Sequence, residues 1–125
     1  MLLIYHDEQA LSGSERELCY RESAQLAQDL DAKGQYLAAA PLHPVATATS
    51  VRMRDGKRFL TDGPFAETRE QLGGYFLIEA KDLDEALAVA ARIPVARTGT
   101  VEVRPVIEIP NLPPERLSPE LQAKE

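Results

Sequence analysis

The sequence predicts an α+β sandwich, with two amphipathic helices laid on one face of an antiparallel sheet. Three observations carry this. Short segments that alternate in polarity or run apolar, several of them rich in β-branched residues, read as strands at 2–6, 36–40, 47–54, 57–61, 73–80 and 100–106. Two longer segments carry apolar residues at helical spacing behind capping side chains. The elements then follow the order β-α-β, hairpin, β-α-β, the order of a ferredoxin-like sandwich.

Leu2 to His6 is an apolar first strand. After the polar Asp7-Glu8-Gln9, Ser12 or Ser14 caps the first helix, and Glu15 and Glu17 complement the positive end of its dipole. On a wheel, Leu18, Cys19, Ser23, Leu26, Ala27 and Leu30 share about half the circumference, with Arg16, Arg21, Gln25 and Gln28 outside it. Gly34 stops the helix. Tyr36 to Ala40 is a strand of mostly small residues, ended by Pro41 and Pro44. Thr47 to Arg54 alternates as a half-exposed strand, and Asp55-Gly56 signals a two-residue hairpin to the strand Lys57–Thr61.

Asp62-Gly63-Pro64-Phe65 breaks that strand, and Gly73 to Ala80 resumes extended chain. Asp82 or Asp84 caps the second helix, whose expected stripe is Leu83, Ala86, Leu87, Ala90, Ala91 and Ile93, ended by Pro94. Thr100 to Val106 is the last strand. Residues 1–107 thus read as one domain. Residues 108–125 read as a proline-interrupted tail of the same unit, with a short helical turn around Glu115 to Gln122. Two helices on one sheet face leave the other face bare, so a second copy is expected to cover it as a homodimer.

Composition narrows the function classes. The chain has 125 residues, 44% of them hydrophobic and 27% charged, the balance of an ordinary globular domain. A net charge of −6 argues against a general nucleic-acid binder, which needs a basic face to displace counterions. No apolar run approaches the roughly 20 residues of a spanning helix, so no membrane association is expected. The start lacks the basic region and cleavage site of a signal peptide, and the one cysteine, Cys19, allows no internal disulfide. A cytoplasmic location is the expectation. Walker A, GxGxxG, HExxH and GxSxG patterns are absent, and neither a metal nor a cofactor is signalled.

The segment Thr61-Asp62-Gly63-Pro64-Phe65-Ala66-Glu67-Thr68-Arg69-Glu70-Gln71-Leu72-Gly73-Gly74-Tyr75-Phe76 is long and unusual. It resembles the signature of the DGPF branch of the YCII-related family, small bacterial proteins with a dimeric α/β-barrel fold. Leu2–Tyr5, Thr47–Arg52, Asp82–Ala86 and Val101–Val106 agree with it, so the resemblance covers nearly everything but the tail. It implies the same ferredoxin-like sandwich and homodimer. The wider family resembles muconolactone isomerase in fold and is thought to use a histidine on helix one with an aspartate. Aligned backwards from Gly34, that histidine position carries Ser23 here, a departure from the pattern. Members of the branch are often encoded beside extracytoplasmic-function sigma factors, which implies a sigma factor as a candidate partner.

The candidate site residues follow from chemistry and position. Asp62 stands where a strand breaks and offers a carboxylate for proton transfer or for a substrate hydroxyl; as a turn aspartate it would instead bond the N–H groups of Gly63 to Ala66. Glu67 is a candidate second carboxylate. His6 and His43 can exchange protons near neutrality. His6, at the end of strand one, is the catalytic candidate, and the two are not expected to pair on a metal because strands one and two need not be close. Ser23, Phe65, Tyr75 and Arg104 are candidate ligand contacts: Phe65 as an apolar wall, Tyr75 as a half-buried ring with a wet hydroxyl, Arg104 as a two-donor partner for an acidic group. Glu22, at the edge of the apolar arc, either reaches solvent or enters a pocket.

Two functions fit these residues best, with a purely structural dimer as the third. One is a cofactor-independent enzyme doing acid–base chemistry on a small organic molecule in a dimer cleft. The other is a non-catalytic small-molecule-binding or regulatory module associated with a sigma factor.

Overall fold

A computed structural model describes residues 1–114. The expected turn at Glu115 to Gln122 lies outside them. Six strands and two helices follow in the order β1 (Leu2–His6), α1 (Gly13–Ala32), β2 (Tyr36–Pro41), β3 (Thr49–Arg54), β4 (Lys57–Asp62), β5 (Gln71–Ile78), α2 (Leu83–Ala90) and β6 (Thr100–Val103). Short 3-10 turns at Val45–Thr47 and Pro94–Arg97 join β2 to β3 and α2 to β6. The main sheet is antiparallel in the order β2-β5-β1-β6, and β3 and β4 form a separate two-stranded sheet. This is the ferredoxin-like arrangement with a hairpin inserted between β2 and β5.

The local signals explain most element ends. Ser12 is the N-cap of α1, and the cap is reciprocal: Ser12 Oγ accepts from the Glu15 N–H at 3.1 Å, and Glu15 Oε1 accepts from the Ser12 N–H at 3.0 Å. Asp82 caps α2, its Oδ1 accepting from the Glu85 N–H at 2.8 Å. Asp55 and Gly56 both take positive φ (52° and 75°), the two-residue turn whose twist matches the β3–β4 strands.

The core forms where the two helices meet one face of the sheet. Leu2 and Ile4 of β1 and Phe76 of β5 pack with Leu26 and Leu30 of α1, Val89 and Ala90 of α2, and Ile93. Registers place Leu2 opposite both Phe76 and Val103, so these side chains share the helix-covered face. Leu3, Tyr5, Tyr75, Leu77 and Glu102 take the opposite face, to which no helix contributes.

Several sequence expectations are corrected. The strand expected from Thr47 begins at Thr49, because Val45–Thr47 first makes a 3-10 turn behind Pro44. α2 ends at Ala90, and Pro94 starts a 3-10 turn instead of ending that helix directly. The expected stripe of α2 is buried only at its C-terminal end: Ala90 and Ile93 join the core, together with Val89 outside the stripe, whereas Leu83 and Leu87 are 60% and 47% exposed. The physical reason is length, since an eight-residue helix touches the core only through its last turn and the chain that follows.

Candidate functional site

A cleft opens where α1 lifts away from the end of the sheet. One face of α1 supplies Arg16, Tyr20, Ser23 and Ala27, spaced i, i+4, i+7 and i+11, with Cys19 beside them. The facing wall is β1 (Ile4, His6), β2 (Ala39–Pro41) and β5 (Gly73–Phe76), and Ile93 and Val95 close the inner end. The cleft exists because the residues that meet across it are small: Ala27 and Ser23 above, Ala39, Gly73 and Gly74 below. Helix and sheet therefore cannot fill the space between them. Its inner chamber measures about 340 Å³ and is mainly apolar. An outer, more polar mouth of about 470 Å³ adds Glu8 and Gln9 from the β1–α1 loop and Leu42, His43 and Pro44 after β2.

His6 stands at the junction of the two parts. Its ring occupies the space that a side chain at Gly73 would need, since an added Cβ there would collide with Nε2 and Cδ2. Gly73 is free to sit under the ring because β5 bulges there: Ile4 pairs with Gly74, but Tyr5 pairs with Leu72. His6 Nδ1 is buried without a hydrogen-bond partner among the described residues.

The surrounding loops are tied down. Gln71 Nε2 donates to the Thr68 carbonyl at 2.7 Å, and Gln71 Oε1 accepts from the Glu8 N–H at 3.2 Å. Glu8 Oε1 in turn accepts from the Val45 N–H at 2.8 Å. Arg16 is half-buried, and its Nη2 donates to the Glu8 carbonyl at 3.4 Å. Burial is the main reason that the Cys19 thiol is pushed up from its ordinary pKa. The nearby Glu22 carboxylate adds to this, and Arg97 opposes it. A raised thiol is protonated near neutrality and is a poor nucleophile.

Of the residues singled out in the sequence, the fold brings His6 and Ser23 to the cleft and His43 to its mouth, while Tyr75 borders the cleft as part of β5 with its side chain on the helix-free face. Both histidines therefore border one space although β5 lies between β1 and β2. No cluster of three or more His, Cys, Asp or Glu side chains suited to a metal occurs among the described residues. Asp62, Phe65 and Glu67 do not line the cleft. They are exposed at the end of β4 and in the segment after it, Phe65 by 82%. Among the described residues, no hydrogen bond from Gly63–Ala66 reaches the Asp62 carboxylate; the Gly63 N–H instead donates to the Ala48 carbonyl at 2.7 Å.

Arg104 lies elsewhere, in a groove with Met1, Leu37, Leu83 and Val106. Its Nη2 is 3.0 Å from Glu102 Oε1, an ion pair without hydrogen-bond alignment. Glu22 pairs with Arg97 at 2.8 Å across to the second 3-10 turn.

Arg16 and Tyr20 are the cleft residues that sequence reasoning missed. The wheel put Arg16 outside the apolar arc, correctly for the core, but the cleft borders that arc. The Gly73-Gly74 pair inside a strand was the signal for a bulge and a close approach. The unusual segment 61–76 is thus divided: its beginning is exposed, and its end, from Gln71 to Phe76, builds the cleft wall and seats His6.

Comparison with known proteins places the chain in a family. The uncharacterized protein R00369 of Rhizobium meliloti (strain 1021) is 40% identical over 114 residues, covering 84% of this chain and 89% of that one. The YCII-related domain matches residues 1–110, which hold every described strand and helix and both walls of the cleft. The chain belongs to the YCII-related family.

Proposed function

We propose that the chain is a cofactor-independent enzyme that moves a proton on a small organic molecule held between α1 and the sheet, with His6 as the proton-exchanging group. One observation carries this reading. The imidazole is seated on Gly73 between a polar mouth and an apolar chamber, with Nδ1 lacking any protein partner among the described residues. A buried nitrogen of that kind is costly unless a ligand or water completes it, and imidazole is suited to acid–base work near neutrality. In this reading Ser23 shapes the chamber, and Tyr75 borders it from β5 while its side chain takes the helix-free face.

A second reading has its own support. The carboxylates of Asp62 and Glu67 stand outside the cleft of their own chain, and Glu8, the acid at its mouth, accepts from the Val45 N–H, so among the described residues no carboxylate is bonded to the His6 Nδ1. A histidine without an orienting carboxylate suits binding without turnover, as in a sensing or regulatory module, whether or not a sigma factor is its partner. A homodimer fits both readings. The helix-free sheet face and the β3–β4 hairpin, where Val51, Met53 and Leu60 are 57–60% exposed, are the surfaces that a second copy would cover.

The test is a thermal-shift screen of small acids, aromatics and amines on wild type and His6→Gln, with each hit then followed for chemical change. A ligand specific to the folded state stabilises it by about 2.7 kcal/mol at a hundred times its dissociation constant. A hit that wild type converts and His6→Gln binds but does not convert supports the enzyme. Conversion at an unchanged rate in the variant removes His6 from the mechanism, and hits bound without conversion favour the binding module.

A further inference from the structure

We infer that the cleft takes a small monocarboxylate with an apolar body, its carboxylate on Arg16 and its body in the inner chamber beside His6. This rests on the reading of the cleft as the functional site and names the class of molecule it selects.

The first argument is the position of Arg16. It is the fourth residue of α1, in the turn where the positive end of the helix dipole disfavours a cation. Nor does it offset that cost by pairing within the chain. Among the described residues no carboxylate pairs with Arg16, and unlike Arg21, Arg52, Arg54, Arg58 and Arg69, which also lack one but are exposed, Arg16 is half-buried. Its one hydrogen bond is the long contact to the Glu8 carbonyl. A guanidinium has five donors in a fork that matches a carboxylate, so most of its capacity is free, on a wall shared by mouth and chamber.

The second argument is what the chamber lacks. Among the described residues, Arg16 is the only fixed cation on its wall, and no Asp or Glu lines it. An amine would lose its hydration there without meeting a counter-charge. The nearest acid of the cleft, Glu8, belongs to the mouth, where the Val45 N–H holds its carboxylate. One fixed cation, with that acid nearby, suits one negative charge better than the double charge of a phosphate ester. The body of the ligand is set by Ala39, Phe76 and Ile93, and about 340 Å³ accommodates a single ring or a short branched chain.

The experiment uses the full chain and four probes of one shape: benzoate, benzamide, benzylamine and phenyl phosphate. Binding is read by calorimetry and by the imidazole Cε1–H resonance of His6, assigned by its loss in His6→Gln. Benzoate is expected to bind and to shift that resonance, with benzamide and benzylamine weaker by about tenfold or more. Arg16→Gln should lower benzoate affinity by about the same factor and leave benzamide unchanged, and Arg16→Lys should recover part of the loss. Equal benzoate affinity in wild type and Arg16→Gln, or benzamide binding as well as benzoate, overturns the carboxylate assignment while leaving the cleft as a site. Tighter binding of phenyl phosphate overturns it in favour of phosphate esters. Failure of every probe to bind or to move the His6 resonance overturns both the assignment and the reading beneath it.

Discussion

Gly73 and Gly74 are adjacent in sequence, yet a methyl group would meet different obstacles at each. At Gly73 the obstacle is the His6 ring, a side chain that can rotate away. At Gly74 it is backbone, with the Ala40 carbonyl oxygen at 2.9 Å and Pro41 Cα at 3.2 Å, and neither can move without disturbing the β2–β5 ladder. Gly74→Ala should therefore lower stability by about 1–3 kcal/mol in chemical denaturation, as overpacking does. Gly73→Ala should cost less but displace the imidazole and weaken ligand binding. Equal stability loss in the two variants would mean that His6 is held as firmly as the backbone.

Among the elements, α1 matters most, because it carries one wall of the cleft and anchors the core through Leu26 and Leu30. Its first turn depends on the reciprocal Ser12–Glu15 cap. Ser12→Ala should cost about 1 kcal/mol, seen as a lower denaturation midpoint with an unchanged slope. The Glu15 carboxyl is held below its ordinary pKa, chiefly by the Ser12 N–H and then by the Ser12 hydroxyl. A depressed folded value means that this contribution is present above the unfolded glutamate pKa, about 4.3, and is lost as pH falls through the lowered folded value. Glu15→Gln keeps an acceptor at the cap but has nothing to titrate, so its stability should fall less steeply on acidification. An acid limb identical to wild type would show that the charge contributes nothing there. The hairpin is the contrasting element: β3 and β4 pair only with each other, and nearly every side chain on them is exposed.

That contrast sets the expectation for the whole molecule. A lone two-stranded hairpin is marginal in water, and one of its faces aligns Val51, Met53 and Leu60. The main sheet also keeps Leu3, Tyr5, Tyr75 and Leu77 on the side without helices. Light scattering should give twice the monomer mass for wild type. Leu60→Asp, at a site already 59% exposed in the single chain, should shift the mass towards the monomer while keeping the circular dichroism of the fold. A wild type that runs as a monomer would leave both apolar surfaces without their proposed cover. No helix among the described residues is long and apolar enough to cross a membrane.

By itself the sequence determined the elements, their order and the fold class, because those depend on local chemistry. A serine at 12 or 14 and an aspartate at 82 or 84 announce helix starts, Asp55-Gly56 turns a hairpin, and alternating or helical spacing names each segment. It also marked segment 61–76 as unusual and His6 as a proton-exchanging residue at a strand end. Only the tertiary structure decided which of these residues meet. The β2-β5-β1-β6 order brings His6 and His43 to one space, the bulge at Gly73 seats the imidazole, and the small residues on facing surfaces leave the space under α1 unfilled, with Arg16 on its wall. The same tertiary structure leaves Asp62 and Glu67 outside that space. A cleft is the gap between two surfaces, and its lining depends on side-chain volumes distant in sequence, which no single segment encodes.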